Sequence, residues 1–368
     1  MLRFAIVPLL LCVWLFAQQA PPSADPVKPQ ESTPDDITFR GGVEVVSTPA
    51  LVFDRDGKYV NGLQAQDFRL FDNGKQQNIE VDVTYVPISL VICIQANAHV
   101  QGLLPQVSKI GNLIKPLMIG DQGEAALIAY DGRVRPLQEF TSDSDKITAA
   151  VRSITPGSMS NRLIDSVEMA TRMLRSRPPD RRRLIMLIGE TRDISSTARA
   201  RETLINLQLS NIVFYGVDMS RFITTLTAPP PVPRPNNNPP AIRGPLPLGQ
   251  ASTPTSIAQM TGGEGSRAEF VPLMVEVFKD IKAVFKANPV EVFTKGTGGS
   301  EFGFHSYRTL EEAIERMGEE LHSGYVISYR PNNKEEGGFH EIKVDVPERR
   351  DVKRVQTRPG YWLAAKFQ

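Results

Sequence analysis

The chemically capable residues of this chain are few and widely spaced. Four histidines occur, His99, His305, His322 and His340, and no two stand at a spacing that would let them chelate one metal ion. No GxxxxGK[ST] phosphate loop, HExxH metal pair, paired CxxC or GxSxG nucleophile elbow occurs. Gly263-Glu264-Gly265-Ser266-Arg267-Ala268 has a loose dinucleotide-binding spacing, but the residues before it, Ile257 to Met260, follow a proline-rich stretch and do not read as the strand that such a fingerprint requires. His99 beside Asp165 or Glu190 would give a general base, because a carboxylate can orient and charge an imidazole. No nucleophile stands at a recognisable spacing from it, so the expectation is a protein without catalytic activity. The two cysteines are Cys12 and Cys93, the latter inside the apolar run Leu90 to Ile94 and expected to be buried in a strand.

The N-terminus reads as an export signal over residues 1–20. Arg3 supplies the positive start, Phe4 to Phe16 the apolar run, and Ala17 to Ala20 the small residues for cleavage. That run is shorter than the ~20 residues that cross a bilayer, so no integral span is expected after cleavage. The predicted destination is the periplasm or the medium. The whole chain carries 42 Lys+Arg and 41 Asp+Glu. Arg3 is the one charge in the signal, which leaves 41 against 41, or zero, in the mature chain. A nucleic-acid partner is not expected at that balance, because such proteins gather basic charge on one face. Residues 21–37 are proline-rich and polar, a linker with too little apolar surface to fold.

The elements that would position any site follow from hydrophobic period. Residues 38–87 hold short β-like runs, VEVVS, ALVFD, FRLFD and IEVDVTYV, with Asp56-Gly57 and Asn73-Gly74 as turns. From 88 to 322 the apolar runs Leu90 to Ile94, Ala125 to Tyr130, Leu184 to Ile188 and Ile212 to Val217 alternate with helical stripes. Leu103, Val107, Ile110 and Ile114 form one stripe, and Leu163, Val167, Ala170 and Leu174 another. That alternation predicts an α/β fold, a doubly wound and mostly parallel sheet with helices on both faces. Residues 226–256 interrupt it with frequent prolines, a surface insertion that could present a polyproline ligand to a partner. Helices are expected over Phe270 to Phe285 and Ser306 to Leu321. Residues 323–368 return to strands, Tyr325 to Tyr329, Phe339 to Val346 and Val352 to Thr357, with Asn332-Asn333 and Gly337-Gly338 as turns.

The phrases GLQAQDFRLFDNGKQQ, LVICIQANAHVQGLL, LIMLIGETRDISS and HSGYVISYRPNN, closed by RPGYW, stand in an order that resembles the von Willebrand factor A-related proteins of the acidobacterial type, over roughly residues 40 to 365. The resemblance implies a ligand-binding domain. In that family a DxSxS loop after the first strand, a threonine before a later helix and an aspartate after the fourth strand hold Mg²⁺, and the partner's carboxylate completes the shell. Aligned on that pattern, Gln95 stands at the first aspartate, Asn97 and His99 at the two serines, Asn161 at the threonine and Gly189 at the later aspartate, with Glu190 and Asp193 just beyond. No essential ligand type is kept, so no cofactor is expected, Mg²⁺ included. Three readings follow from the resemblance: a rewired metal site using Glu190 or Asp193, a metal-free rim of Gln95, Asn97, His99 and Asn161 that grips a protein partner by hydrogen bonds, and a vestigial loop in a structural scaffold.

Overall fold

The computed structural model describes residues 45–82, 86–220, 223, 288–304 and 306–363. The predicted signal, the linker, the insertion at 226–256, the glycine motif near 263, the helix expected over 270–285 and His305 lie outside the described residues. Near the N-terminus the chain forms β1 (Val46–Phe53), β2 (Arg69–Asp72), β3 (Lys75–Gln76) and β4 (Ile79–Asp82). The central region supplies β5 (Ile88–Gln95), β6 (Glu124–Tyr130), β7 (Val134–Thr141), β8 (Arg182–Gly189), β9 (Ile212–Asp218) and β10 (Glu301–Gly303). The last four strands are β11 (Tyr325–Tyr329), β12 (Gly338–Asp345), β13 (Arg354–Thr357) and β14 (Gly360–Leu363). The main helices are α1 (Ser144–Arg152), α2 (Leu163–Arg175), α3 (Ala200–Leu209), α4 (Pro289–Thr297) and α5 (Tyr307–Ser323).

Every residue of β5, ISLVICIQ, is buried. A strand that is apolar at successive positions must be covered on both faces, which happens when helices flank a parallel sheet. Here α1 and α5 contribute to the core on one face, and α2, α3 and α4 to the core on the other. The strand order is β10-β9-β8-β5-β6-β7, parallel throughout except for β7, which runs antiparallel at the edge. The chain leaves β5 toward β6 on one side and later places β8 on the other. Strand order therefore reverses between β5 and β8, and in open α/β sheets the crevice outside the carboxyl ends of the strands at such a reversal is where ligands bind. The α/β expectation holds.

The stripe Leu163, Val167, Ala170 and Leu174 is buried on α2, as is Leu310, Ile314, Met317 and Leu321 on α5. The stripe Leu103 to Ile114 is buried too, but its helix is broken into a 3₁₀ segment Ala98–Leu103, short α turns Leu104–Val107 and Gly111–Ile114, and a π segment Lys115–Ile119. Pro105 and Pro116 lack the amide hydrogens that an unbroken helix needs, and the widened π turn begins where Pro116 enters. Cys93 is a buried, free thiol pushed up to about 12 by burial, consistent with an inert packing role.

The β segments before β5 and after α5 do not stand apart. They interleave as two four-stranded sheets, β13-β1-β11-β4 and β14-β12-β2-β3, around a common apolar core. Asn73 and Gly74 both have positive φ and close the two-residue hairpin between β2 and β3. Among the described residues no helix is long and apolar enough to cross a membrane.

Candidate functional site at the strand-order reversal

Gln95 ends β5 and Gly189 ends β8, so both stand at the reversal. Gln95 is fully buried. Its Nε2 donates to Glu190 Oε2 at 2.7 Å, and its Oε1 accepts the Glu190 backbone N–H at 2.7 Å. One side chain thus holds the next residue of the facing loop by both its backbone and its carboxylate. The other carboxylate oxygen of Glu190, Oε1, lies 3.2 Å from His99 Nδ1. His99 is exposed, at the start of the 3₁₀ segment that follows β5.

The two asparagines face inward. Asn97 Oδ1 caps the 3₁₀ segment by accepting the Val100 N–H at 3.3 Å, and its Nδ2 donates to the Met159 carbonyl at 3.4 Å. Asn161 Nδ2 donates to the Arg192 carbonyl at 3.0 Å while its Oδ1 accepts the Ile194 N–H at 2.9 Å. Both residues are buried. Asp193 accepts the Ile164 N–H at 3.2 Å in the first turn of α2 and the Ser196 hydroxyl at 2.6 Å. Asp165 takes the backbone N–H groups of Thr197 and Ala198 and pairs with Arg162 at 3.4 Å.

This corrects the expectation of a hydrogen-bonding rim made by Gln95, Asn97, His99 and Asn161. The structure brings all six predicted residues into one region, yet Gln95, Asn97 and Asn161 are under the surface, and each of their amides is engaged with a neighbouring loop. A buried amide must find partners within the fold, and here it finds them in the loops beside it. Of the six, His99 is exposed and Glu190 and Asp193 are partly exposed, and Glu190 has fewer hydrogen bonds to its carboxylate than Asp193. The His99–Asp165 pairing considered from the sequence is absent, the histidine having Glu190 as its neighbour instead.

Sequence reasoning passed over three residues that shape this region. Tyr130, at the end of β6, is fully buried, and its hydroxyl has no hydrogen-bond partner among the described residues. Burial foremost, then Cys93 and the carboxylates of Glu190 and Asp193, holds that phenol far above its ordinary ionisation range. A Cβ added to Gly189 would run into the Tyr130 hydroxyl and lie 2.9 Å from Gln95 Oε1. The tyrosine therefore occupies the volume that a side chain at position 189 would need. The other two are Met159 and Ile194, 70% and 64% exposed, which with Val45 make up the exposed large hydrophobics among the described residues. They lie on abutting loops, since their successors Ser160 and Ser195 share a hydroxyl–hydroxyl hydrogen bond.

These observations decide whether the Mg²⁺ of the resemblance fits. A hard divalent cation needs several oxygens, carboxylates foremost, around an open position. Position 95 offers an amide already used twice. Positions 97 and 161 offer amides turned toward backbone groups, and 189 offers no side chain in a space filled by a phenol. Glu190 is the carboxylate that Gln95 holds there, and Asp193 is occupied at the start of α2. Among the described residues no group of three or more His, Cys, Asp or Glu is placed to hold a metal ion. The residues do not fit the ion.

Against known proteins, no family model matches the chain, and no curated protein matches its sequence. Solved structures that resemble it include the von Willebrand factor domain of the type V pili tip protein Mfa5 from Porphyromonas gingivalis, at 18% identity and TM-score 0.27, covering 33% of this chain and 49% of that one. The VWA domain of SpRpn10 is similar at 12% identity and TM-score 0.29, covering 36% of this chain and 76% of that one. The conserved hypothetical protein BatB from Bacteroides thetaiotaomicron is similar at 13% identity and TM-score 0.36, covering 64% and 98%. The chain thus spans about half the length of the Mfa5 domain. The α/β fold stands on the strand order and crossovers described above.

Proposed function

We propose that the chain is an exported, non-enzymatic binding protein of the adhesion or scaffold kind, a degenerate relative of the von Willebrand factor A-related proteins of the acidobacterial type, and that it meets its protein partner at the strand-order reversal without a metal. One observation carries this reading. The buried amides of Asn97 and Asn161 hold two loops in place, and those loops keep Met159 and Ile194 in water, Ile194 on the loop that Glu190 begins after β8. Keeping large apolar side chains in solvent on fixed backbone stabilises nothing in the free protein, and it supplies the area that a partner would bury. The export signal read in residues 1–20 supports a periplasmic or secreted location.

Site-specific photocrosslinking in the producing cells tests the reading. A benzophenone side chain at position 194 should yield a discrete adduct that Met159→Asp abolishes, while the same probe at exposed Lys343 on β12 yields none. Adducts from position 343 with none from 194 would move the contact surface elsewhere.

A further inference from the structure

Hydrogen-bonding capacity at this rim is unevenly distributed. Gln95, Asn97, Asn161, Asp193 and Asp165 are all engaged with backbone or neighbouring side chains. Glu190 is different. Its carboxylate has about four lone-pair positions, of which Gln95 takes one on Oε2 and His99 faces one on Oε1. It is 20% exposed and fixed from below by the same glutamine that binds its backbone N–H, so its direction is set before any partner arrives. A fixed, partly desolvated acceptor of negative charge is matched by a cationic donor, and charge-assisted hydrogen bonds of that kind are the strong ones. A partner's carboxylate would meet repulsion at Glu190 with no metal ion to bridge the two.

Resting on the reading of this end of the sheet as the contact surface, we propose that the rim captures a basic side chain of a partner protein, arginine in the best case, on Glu190, while apolar residues beside it in the partner pack against Met159 and Ile194. Arginine suits the site because its planar fork can meet two acceptor positions at once and its flat, weakly hydrated face tolerates apolar neighbours. The charge preference is then opposite to that of the metal site in the family the sequence resembles, where the partner supplies the acid. Two cations lie nearby. Arg162 is paired with Asp165, whereas Arg192 is exposed and makes no ion pair among the described residues, so it is the competing anchor for an acidic partner.

The test is selection of random linear peptides displayed on phage against the full mature chain, followed by affinity measurement on the enriched sequences. The expected winners carry arginine or lysine next to leucine, isoleucine or phenylalanine. Their affinity should fall at least about tenfold on Glu190→Gln, the loss of one charge-assisted hydrogen bond. Replacing the peptide's arginine by neutral citrulline should do the same with the protein untouched, which keeps the test valid if the variant is unstable. Met159→Ser with Ile194→Ser should also weaken binding. Acidic winners lost on Arg192→Gln, or basic winners indifferent to Glu190→Gln and to citrulline, would overturn the basic-ligand proposal while leaving the contact surface in place. No winners, or winners indifferent to Met159 and Ile194, would overturn both.

Discussion

Asn161→Ala should cost about 1 to 3 kcal/mol of stability, because it removes two hydrogen bonds from a buried amide, to the Arg192 carbonyl and from the Ile194 N–H. Tyr130→Phe, at an equally buried position, should cost nothing measurable in urea unfolding, since the hydroxyl removed has no partner among the described residues to lose. A Tyr130→Phe loss as large as that of Asn161→Ala would mean that the phenol is hydrogen-bonded in solution. Gly189→Asp, which restores the carboxylate type the resemblance places there, should destabilise by about 1 to 3 kcal/mol through overpacking against Tyr130 and Gln95. It should not create a Mg²⁺ site, as shown by an unchanged melting temperature on adding the ion. That Gln95, Asn97, His99, Asn161 and Glu190 stand near one another was legible in the sequence, because the phrase order aligned them. Their orientations were not. An asparagine after a strand reads the same whether its amide faces water or pins a loop, and the partner that fills the space at Gly189 comes from β6, remote in sequence.

At the scale of elements, the buried ties within the β strands carry a pH signature. Asp72 on β2 accepts from Tyr361 on β14 at 2.8 Å and from Tyr329 on β11 at 2.9 Å, so it joins strands of both small sheets. It also lies 2.6 Å from His340 Nδ1 on β12 and accepts from Asn333 at 3.0 Å. Burial alone would raise the ionisation point of this carboxyl, but hydrogen bonds from His340, Asn333, Tyr361 and Tyr329 outweigh it and hold the group below the usual range. A depressed folded-state value contributes stability above the unfolded value near 3.9, and loses it as pH falls through the folded value. The wild type should therefore lose stability steeply below about pH 4, while Asp72→Asn should be less stable at neutral pH and flatter in that acid range. Urea unfolding across that range reads both, and identical pH slopes would contradict the assignment. The helical stripes and buried strands were legible because period reports burial directly. Edge strand β7 was missed. Its sequence, VRPLQEFT, contains Pro136 and is half-exposed along its length, and its register shifts against β6, so no clean alternation remains.

On the scale of the whole molecule, the β segments before β5 and after α5 are one structure. β1 pairs with β11 and β13, and β2 pairs with β12, across separations that no local pattern announces. The sequence shows two β segments of similar character, and only the pairing shows that neither has a partner sheet without the other. Deleting residues 354–363, which removes β13 and β14, should therefore open β1 to proteolysis near residues 46–53, even though the deleted residues lie some 300 positions away. Intact protection of that strand would contradict the shared core.

The central claim is that the strand-order reversal meets its partner without a metal. Titration of Mg²⁺, Mn²⁺ and Ca²⁺ into the purified mature chain by calorimetry, with thermal unfolding run alongside, tests it most directly, because an ion that binds the native state must raise its melting temperature. The account predicts no saturable heat and no shift with any of the three ions. Saturable binding that raises the melting temperature, and that is lost on Glu190→Ala or Asp193→Ala, would contradict it and restore a rewired metal site at the end of β8.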